Sequence, residues 1–164
     1  MLILQKNWDP QATDDPATAR SRHGYIITYA GCPILWKSQL QTEIALSSCK
    51  SEHTGLSHAL RDATPIMEML KEMKQRGFPI ETAKAEALCE AFEDNSGALE
   101  IARTHKFRPR TKHLNVKLHH FRSYVVNNAV KISKVSTHQQ RADYLTKPVN
   151  EDILVRHRKI VMGW

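Results

Sequence analysis

The sequence predicts an α/β layer fold with a mixed sheet. Three observations lead there. Two segments rich in β-branched and aromatic residues, "GYIITYA" and "CPILWKS", flank Gly31 and read as a hairpin. Leu56, Leu60, Ala63, Met67 and Leu70 recur at three- and four-residue spacings, the apolar stripe of a long helix. Beyond that helix, strand-like and helix-like segments follow one another in the pattern of a layered sheet.

The elements follow in order. "MLILQK" is a poor strand candidate. Residues 7 to 23, rich in Pro, Asp, Thr and Ala, read as a loop. The hairpin takes residues 24–30 and 32–38. The long helix runs from about Ser48 to Arg76. Pro65 lacks an amide donor and should kink or break it near Thr64, and Gly77 with Pro79 ends it. "KAEALCEAF" (84–92) reads as a strand, although Ala and Glu also favour helix. A helix after Asp94 reaches about Thr104. "KFRPRTK" (106–112) is a loop. A helix spans about His113 to Asn127, with Leu114, Leu118, Phe121 and Val125 on one face. "VKISKVS" (130–136) alternates as a strand does. "QQRADYLTKP" (139–148) is a short helix stopped before Pro148. The last helix carries Ile153, His157, Ile160, Val161 and Trp164 on one side.

The 164 residues suffice for one domain with a real core, and 41% of them are hydrophobic. The domain takes in 1–164, with 1–23 an N-terminal segment and loop and 149–164 a C-terminal helical extension. No apolar run approaches the roughly 20 residues a bilayer requires. No basic region precedes the short apolar start, so no signal peptide is read there. An intracellular protein, cytoplasmic or nuclear and not secreted, is the expectation. Cys32, Cys49 and Cys89 are far apart, which argues against a zinc ribbon or a disulfide framework. The histidines include His119 and His120 but no HExxH, and read as ordinary buried or surface groups.

The net charge of +7 is unevenly spread. Between Ile101 and Ala142 there is no Asp or Glu, while the stretch holds Arg103, Lys106, Arg108, Arg110, Lys112, Lys117, Arg122, Lys131, Lys134 and Arg141. A segregated basic region suits a polyanion, most often nucleic acid. The alternative is a solvated basic face.

In "AFEDNSGALEIA" an apolar segment ends in acids at the mouth of a helix. Alone, Asp94 there reads as an N-cap, whose oxygen accepts a free backbone N–H. Two further acids occupy comparable settings: Glu52 in the first turns of the long helix, and Asp143 in the short helix after the last strand. Carboxylates from separate elements that converge raise one another's pKa, and a divalent cation relieves that repulsion.

Four segments carry a resemblance. "LQTEIALSSCKSEHTGLS" resembles "K-x-Q-x-x-x-A-L-S-S-T-E-A-E-Y-x-A-L-S" of the ribonuclease H domain at the end of copia-type retrotransposon Pol polyproteins. "FEDNSGALEIA" is similar to that family's "x-x-D-N-x-x-A". "RPRTKHLNVKLHHFR" is similar to "x-x-R-T-K-H-I-x-x-x-x-H-x-x-R", and "QQRADYLTKP" to "x-x-x-A-D-x-L-T-K-P". The four occur in the family's order from about Asn7 to Trp164.

The resemblance implies a ribonuclease H-like mixed sheet of five strands flanked by helices. It implies an endonuclease in which four acids hold two Mg²⁺ or Mn²⁺ ions and the RNA strand of an RNA–DNA hybrid is cleaved. Three acids match: Glu52, Asp94 and Asp143, as metal ligands and catalytic residues. Asp94 then becomes both a helix-start residue and a ligand. Arg108, Arg110, Lys112, His113, Lys117 and Arg122 are the implied nucleic-acid contacts. The family's first acid lies at the end of its first strand, in a motif that falls across residues 1 to 6. "MLILQK" has no acid, and Met1 stands where the first aspartate is expected. The first strand is therefore expected to be incomplete or replaced, as in a fragment that starts inside it. Lys50 and His53 replace the Glu and Tyr of "E-A-E-Y". Protease, integrase and reverse transcriptase, the family's polyprotein context, are not represented in this chain. Slow or absent cleavage is expected. The competing readings are a catalytically inactive remnant or nucleic-acid-binding module and, from charge alone, a DNA-binding regulatory domain.

Overall fold

The structure is a computed structural model that describes residues 20–42, 44–45, 47–80, 89–103, 121–146 and 148–163, and residues 2–6 by their backbone. Strands β1 (Leu2–Lys6), β2 (Arg22–Tyr29), β3 (Cys32–Leu40), β4 (Cys89–Glu93) and β5 (Val130–Lys134) form one five-stranded sheet, ordered β3-β2-β1-β4-β5. β1, β2 and β3 are mutually antiparallel, while β4 runs parallel to β1 and β5 parallel to β4. This is the mixed sheet the resemblance implied.

β1 corrects the reading of "MLILQK". The segment pairs with β2 from Leu2↔Ile26 to Lys6↔Arg22 and meets β4 at Leu2↔Phe92, so it is the central strand. A central strand covered on both faces tends to a continuous apolar run without alternation, and "LIL" is too short to declare itself by period. The hairpin β2–β3 turns on Ala30 and Gly31, both at positive φ (49° and 83°), the backbone a two-residue turn demands. Strand β4 is described from Cys89 to Glu93; of the strand expected over 84–92, residues 84–88 lie outside the described residues.

Helix α1 (Ser48–Gln75) is capped by Ser47, whose hydroxyl accepts the Lys50 N–H at 3.2 Å. It runs through Pro65 without a break, so of the kink or break expected there the break does not occur. Proline costs a helix interior about 3 kcal/mol. Here Pro65 is exposed, while Leu60 and Ala63 before it and Met67 after it are buried in one core. Burial on both sides of the proline outweighs the lost hydrogen bond. Helix α2 is Ser96–Arg103, and α3 takes 121–126. On this face α1, α2 and α3 pack their buried residues against Tyr25, Ile27, Ala91, Val130 and Ile132.

The opposite face is thinner. Its cluster is Ile26, Ala142 and Val161, flanked by Phe92, Tyr144 and Leu145. The expected helix over 139–148 is instead a pair of 3₁₀ turns, Thr137–Gln139 and Asp143–Leu145, with Gln140 extended between them. Helix α4 (Glu151–Met162) buries only His157 and Val161; Ile153 and Ile160, expected on the same side, are exposed. Gly24 of β2 lets the second turn approach. A Cβ there would stand 2.7 Å from Leu145 Cβ and 2.9 Å from Thr146 Cγ2.

Candidate functional site

Glu52 is held by a braced first turn of α1. Gln41, just past β3, donates from Nε2 to the Ser51 carbonyl at 2.8 Å and accepts the Ser51 hydroxyl at 3.3 Å. Both residues are buried. The end of β3 and the start of α1 are thereby locked together, and Glu52 follows directly.

β4 ends at Glu93, and Asp94 and Asn95 lead into α2. The capping residue is Asn95, not Asp94. Its Oδ1 accepts the N–H groups of Gly97 at 2.8 Å and Ala98 at 3.0 Å. Asp94 is thus released from capping. One of its oxygens, Oδ2, accepts the Thr137 hydroxyl at 3.1 Å, and the other, Oδ1, is buried and has no hydrogen-bond partner among the described residues.

Glu52 and Asp94 are brought together. Burial pushes the Glu52 carboxyl up to about 7, the nearby Asp94 charge adds to the rise, and a hydrogen bond from the Asn95 side chain opposes it. Glu52 Oε2 is likewise buried without a partner among the described residues.

A third acid, Glu93, escaped the sequence reading. It is 1% exposed, and burial first, then the charges of Glu52 and Asp94, push it up to about 8. Its Oε1 accepts the Asn95 N–H at 3.2 Å, which opposes that rise, while Oε2 has no partner among the described residues. The signal was available: alternation along β4 puts Glu93 on the same face as the core residue Ala91. Cys49 lies close by. Burial raises its thiol, and the charges of Glu52, Glu93 and Glu100 add to that.

Asp143 opens the second 3₁₀ turn, on the thin face, and is 9% exposed. Its turn is pinned by the Ser38 hydroxyl, which donates to the Leu145 carbonyl at 2.6 Å, and by the close approach at Gly24. Among the described residues no three His, Cys, Asp or Glu side chains form a metal-holding group. The resemblance puts its first acid at the end of the first strand. That end is Gln5–Lys6 and not Met1, and neither residue is an acid.

Arg108, Arg110, Lys112, His113 and Lys117 lie outside the described residues, while Arg122 lies on α3. Near the acids, Lys134 donates from Nζ to the Ser96 hydroxyl at 2.9 Å, at the start of α2. No helix among the described residues is long and apolar enough to cross a membrane.

No protein-family model matches the chain. It is similar to the retrovirus-related Pol polyprotein from transposon TNT 1-94 of Nicotiana tabacum, 28% identical over 149 residues. It is also similar to that from transposon RE1 of Arabidopsis thaliana, 32% identical over 149 residues. These alignments take in 90% and 91% of the chain, which spans 10% of the length of either curated relative. Among solved structures, it resembles the N-terminal RNase H domain of rv2228c from Mycobacterium tuberculosis, solved as a fusion with maltose-binding protein. The TM-score is 0.50 at 12% identity, with 96% of this chain and 94% of that one covered.

Proposed function

We propose that this ribonuclease H-like domain, homologous to retrovirus-related Pol polyproteins of transposons, binds RNA–DNA hybrids and holds a divalent cation at Glu52 and Asp94. The proposal includes hydrolysis of the RNA strand that is slow or absent. The observation that carries it is the Glu52–Asp94 pair, two coupled carboxylates that each keep a buried oxygen without a hydrogen bond. Such oxygens are costly unless a partner arrives. Hard carboxylate oxygens fit Mg²⁺ or Mn²⁺. They fit one ion better than two, because the strand that would supply the first acid ends in Gln5–Lys6, neither of which is an acid.

A bound cation would supply charge stabilisation to a phosphodiester. The chain's own residues do the rest. Near neutral pH Glu52 holds a proton on a good share of molecules, and gives it up when a cation binds. Asp94 is oriented by Thr137 through the hydrogen bond to Oδ2. Arg108, Arg110, Lys112, His113, Lys117 and Arg122 are proposed to track the phosphate backbone, with an affinity that falls steeply with salt as counterions are released.

The test is purified chain on a labelled hybrid with Mg²⁺ or Mn²⁺, with Glu52→Gln and Asp94→Asn as blanks. Salt-sensitive hybrid binding, weakened by reversing Arg108, Arg110 and Lys112 to Glu, with little or no cleavage, is the expected result. Robust cleavage abolished by both blanks would mean that another acid completes the site. Binding no tighter than that of free nucleotide would end the nucleic-acid reading. The second reading, a binding module without turnover, is favoured by the absence of any acid in "LILQK".

A further inference from the structure

Two lysines of β5 stand in the same relation to two glutamates of β4 and behave differently. In the parallel ladder Lys131 lies opposite Glu90, and Lys134 lies opposite Glu93. Lys131 closes on its partner, with Nζ 3.4 Å from Glu90 Oε1. Lys134 does not. It forms no ion pair among the described residues, although Asp94 directly follows its ladder partner. Its Nζ donates instead to the Ser96 hydroxyl at 2.9 Å, and both side chains are exposed. A neutral hydroxyl is the weaker partner for an ammonium, since bonds between charged groups are the strong ones.

Lys134 is two residues from the buried Ile132, so it stands on the face that α2 covers. β4 and β5 both end here, and open α/β sheets take their ligands outside the carboxyl ends of parallel strands. An anion arriving at the start of α2 would find few backbone donors, because Asn95 Oδ1 already accepts the N–H groups of Gly97 and Ala98. Side chains must meet it. We infer that Lys134 and Ser96 form a phosphate-binding site for the backbone of the hybrid, beside the Glu52–Asp94 pair. After its bond to Ser96 the ammonium keeps two N–H donors, and the Ser96 hydroxyl, which accepts there, keeps its own O–H to donate. A single phosphate can take a bond from each. Thr137, on the connection that leaves β5, donates to Asp94 Oδ2 at 3.1 Å. The end of β5 thus orients the acid and meets the phosphate beside it.

The inference rests on the reading that this end of the sheet binds the hybrid, and the experiment tells the two failures apart. Binding of a labelled RNA–DNA hybrid to the whole chain is measured against salt, without divalent cations. Lys134→Ala should weaken binding roughly 3- to 10-fold at low salt and lower the logarithmic salt slope by about 0.9. The affinity lost between about 50 and about 200 mM salt then shrinks about 3.5-fold. Lys134→Arg should restore the slope, and Ser96→Ala should keep the slope while weakening binding. Lys131→Ala removes the same charge from the same strand and should leave the slope unmoved. Equal effects of Lys131→Ala and Lys134→Ala overturn the inference, because the charge would then act at a distance and not by contact. So does Mn²⁺ binding that tightens in Lys134→Ala while the hybrid slope stays put, which would make Lys134 a counter-charge for the acids. In a second arm, inorganic phosphate titrated into the wild type should shift the Ser96 and Gly97 amide resonances, and should not shift them in Lys134→Ala. If phosphate does this while the wild type holds no hybrid, the site stands and the hybrid reading is what fails. Silence in both arms ends both.

Discussion

On one face of the sheet, Leu56, Leu60, Ala63 and Met67 of α1 share a continuous core with three strands and two further helices. On the other, the buried cluster consists of Ile26, Ala142 and Val161. The site's acids divide along the same line. Glu52 stands on the thick face and Asp94 at the sheet's end, and they interact. Asp143 stands on the thin face, in a short turn tied to the sheet by the Ser38 hydroxyl and by the absence of a side chain at Gly24, and closed internally by the Thr146 hydroxyl on the Asp143 carbonyl. An acid carried by a long, deeply packed helix is placed by many contacts at once. An acid carried by a 3₁₀ turn depends on a few.

The largest effect should come from breaking the thick face. Leu60 is fully buried, and Leu60→Ala should cost about 2–5 kcal/mol in urea unfolding. Val161→Ala on the thin face should cost roughly 1.5 kcal/mol, two buried carbons' worth. Equal losses would show that the two faces contribute alike and would remove the basis of the comparison.

Gly24→Ala comes next and acts on the thin face alone. The new methyl meets Leu145 Cβ at 2.7 Å and the Leu145 carbonyl carbon at 3.3 Å, so the Asp143 turn must move. Overpacking of this kind costs about 1–3 kcal/mol. Amide chemical shifts should change around Asp143–Thr146 and stay put at Glu52 and Asn95. Shifts spread equally over both regions would mean that the acids form one rigid unit.

The same contrast governs what the sequence revealed. The stripe Leu56–Leu60–Ala63–Met67 has helical period over many turns, so α1 was legible, and Pro65 does not break it because propensity is weaker than burial on both sides of it. The hairpin was legible from Gly31. Strand β1 was not, since its pairing with β2 and β4 is non-local and "LIL" has no period. Glu52 and Asp94 could be named from their motifs, but the exchange of roles at "EDN", with Asn95 capping and Glu93 buried, depends on where β4 stops. The 3₁₀ turns around Asp143 lack the length for periodicity. Their stability comes from Ser38 and Gly24, more than 100 residues earlier in the chain.

Two groups on the thick face titrate in opposite senses. Glu52 is raised from 4.5 to about 7, so folding favours its protonated form; its contribution is complete below about pH 4.5 and is lost as pH rises through about 7. His23 is lowered from 6.5 to about 4 by burial first, then by the charges of His58, Lys37 and Arg61, with Asp62 opposing. Its contribution is present above about pH 6.5 and is lost as pH falls toward about 4. In metal-free protein, Glu52→Gln should flatten the loss of urea resistance between about pH 5 and about pH 8 and leave the acid-side loss in place. An unchanged slope on the alkaline side would show that Glu52 is not the buried acid responsible.

The smallest effect concerns the link between the two faces. Thr137 lies on the connection that runs from β5 to Asp143, and its hydroxyl donates to Asp94 Oδ2 at 3.1 Å. It therefore ties the segment that carries Asp143 to the acid at the end of β4. The bond is exposed, so water replaces it cheaply, and Thr137→Val should cost only about 0.5–1 kcal/mol. The informative quantity is the coupling. If the hydroxyl acts through Asp94, Thr137→Val should cost less once Asp94→Asn has weakened the charge-assisted bond, with an interaction energy of about 0.5 kcal/mol in a double-mutant cycle. Additive losses would mean that the contact is incidental, and that the Asp143 segment and the Glu52–Asp94 pair are joined by the sheet alone.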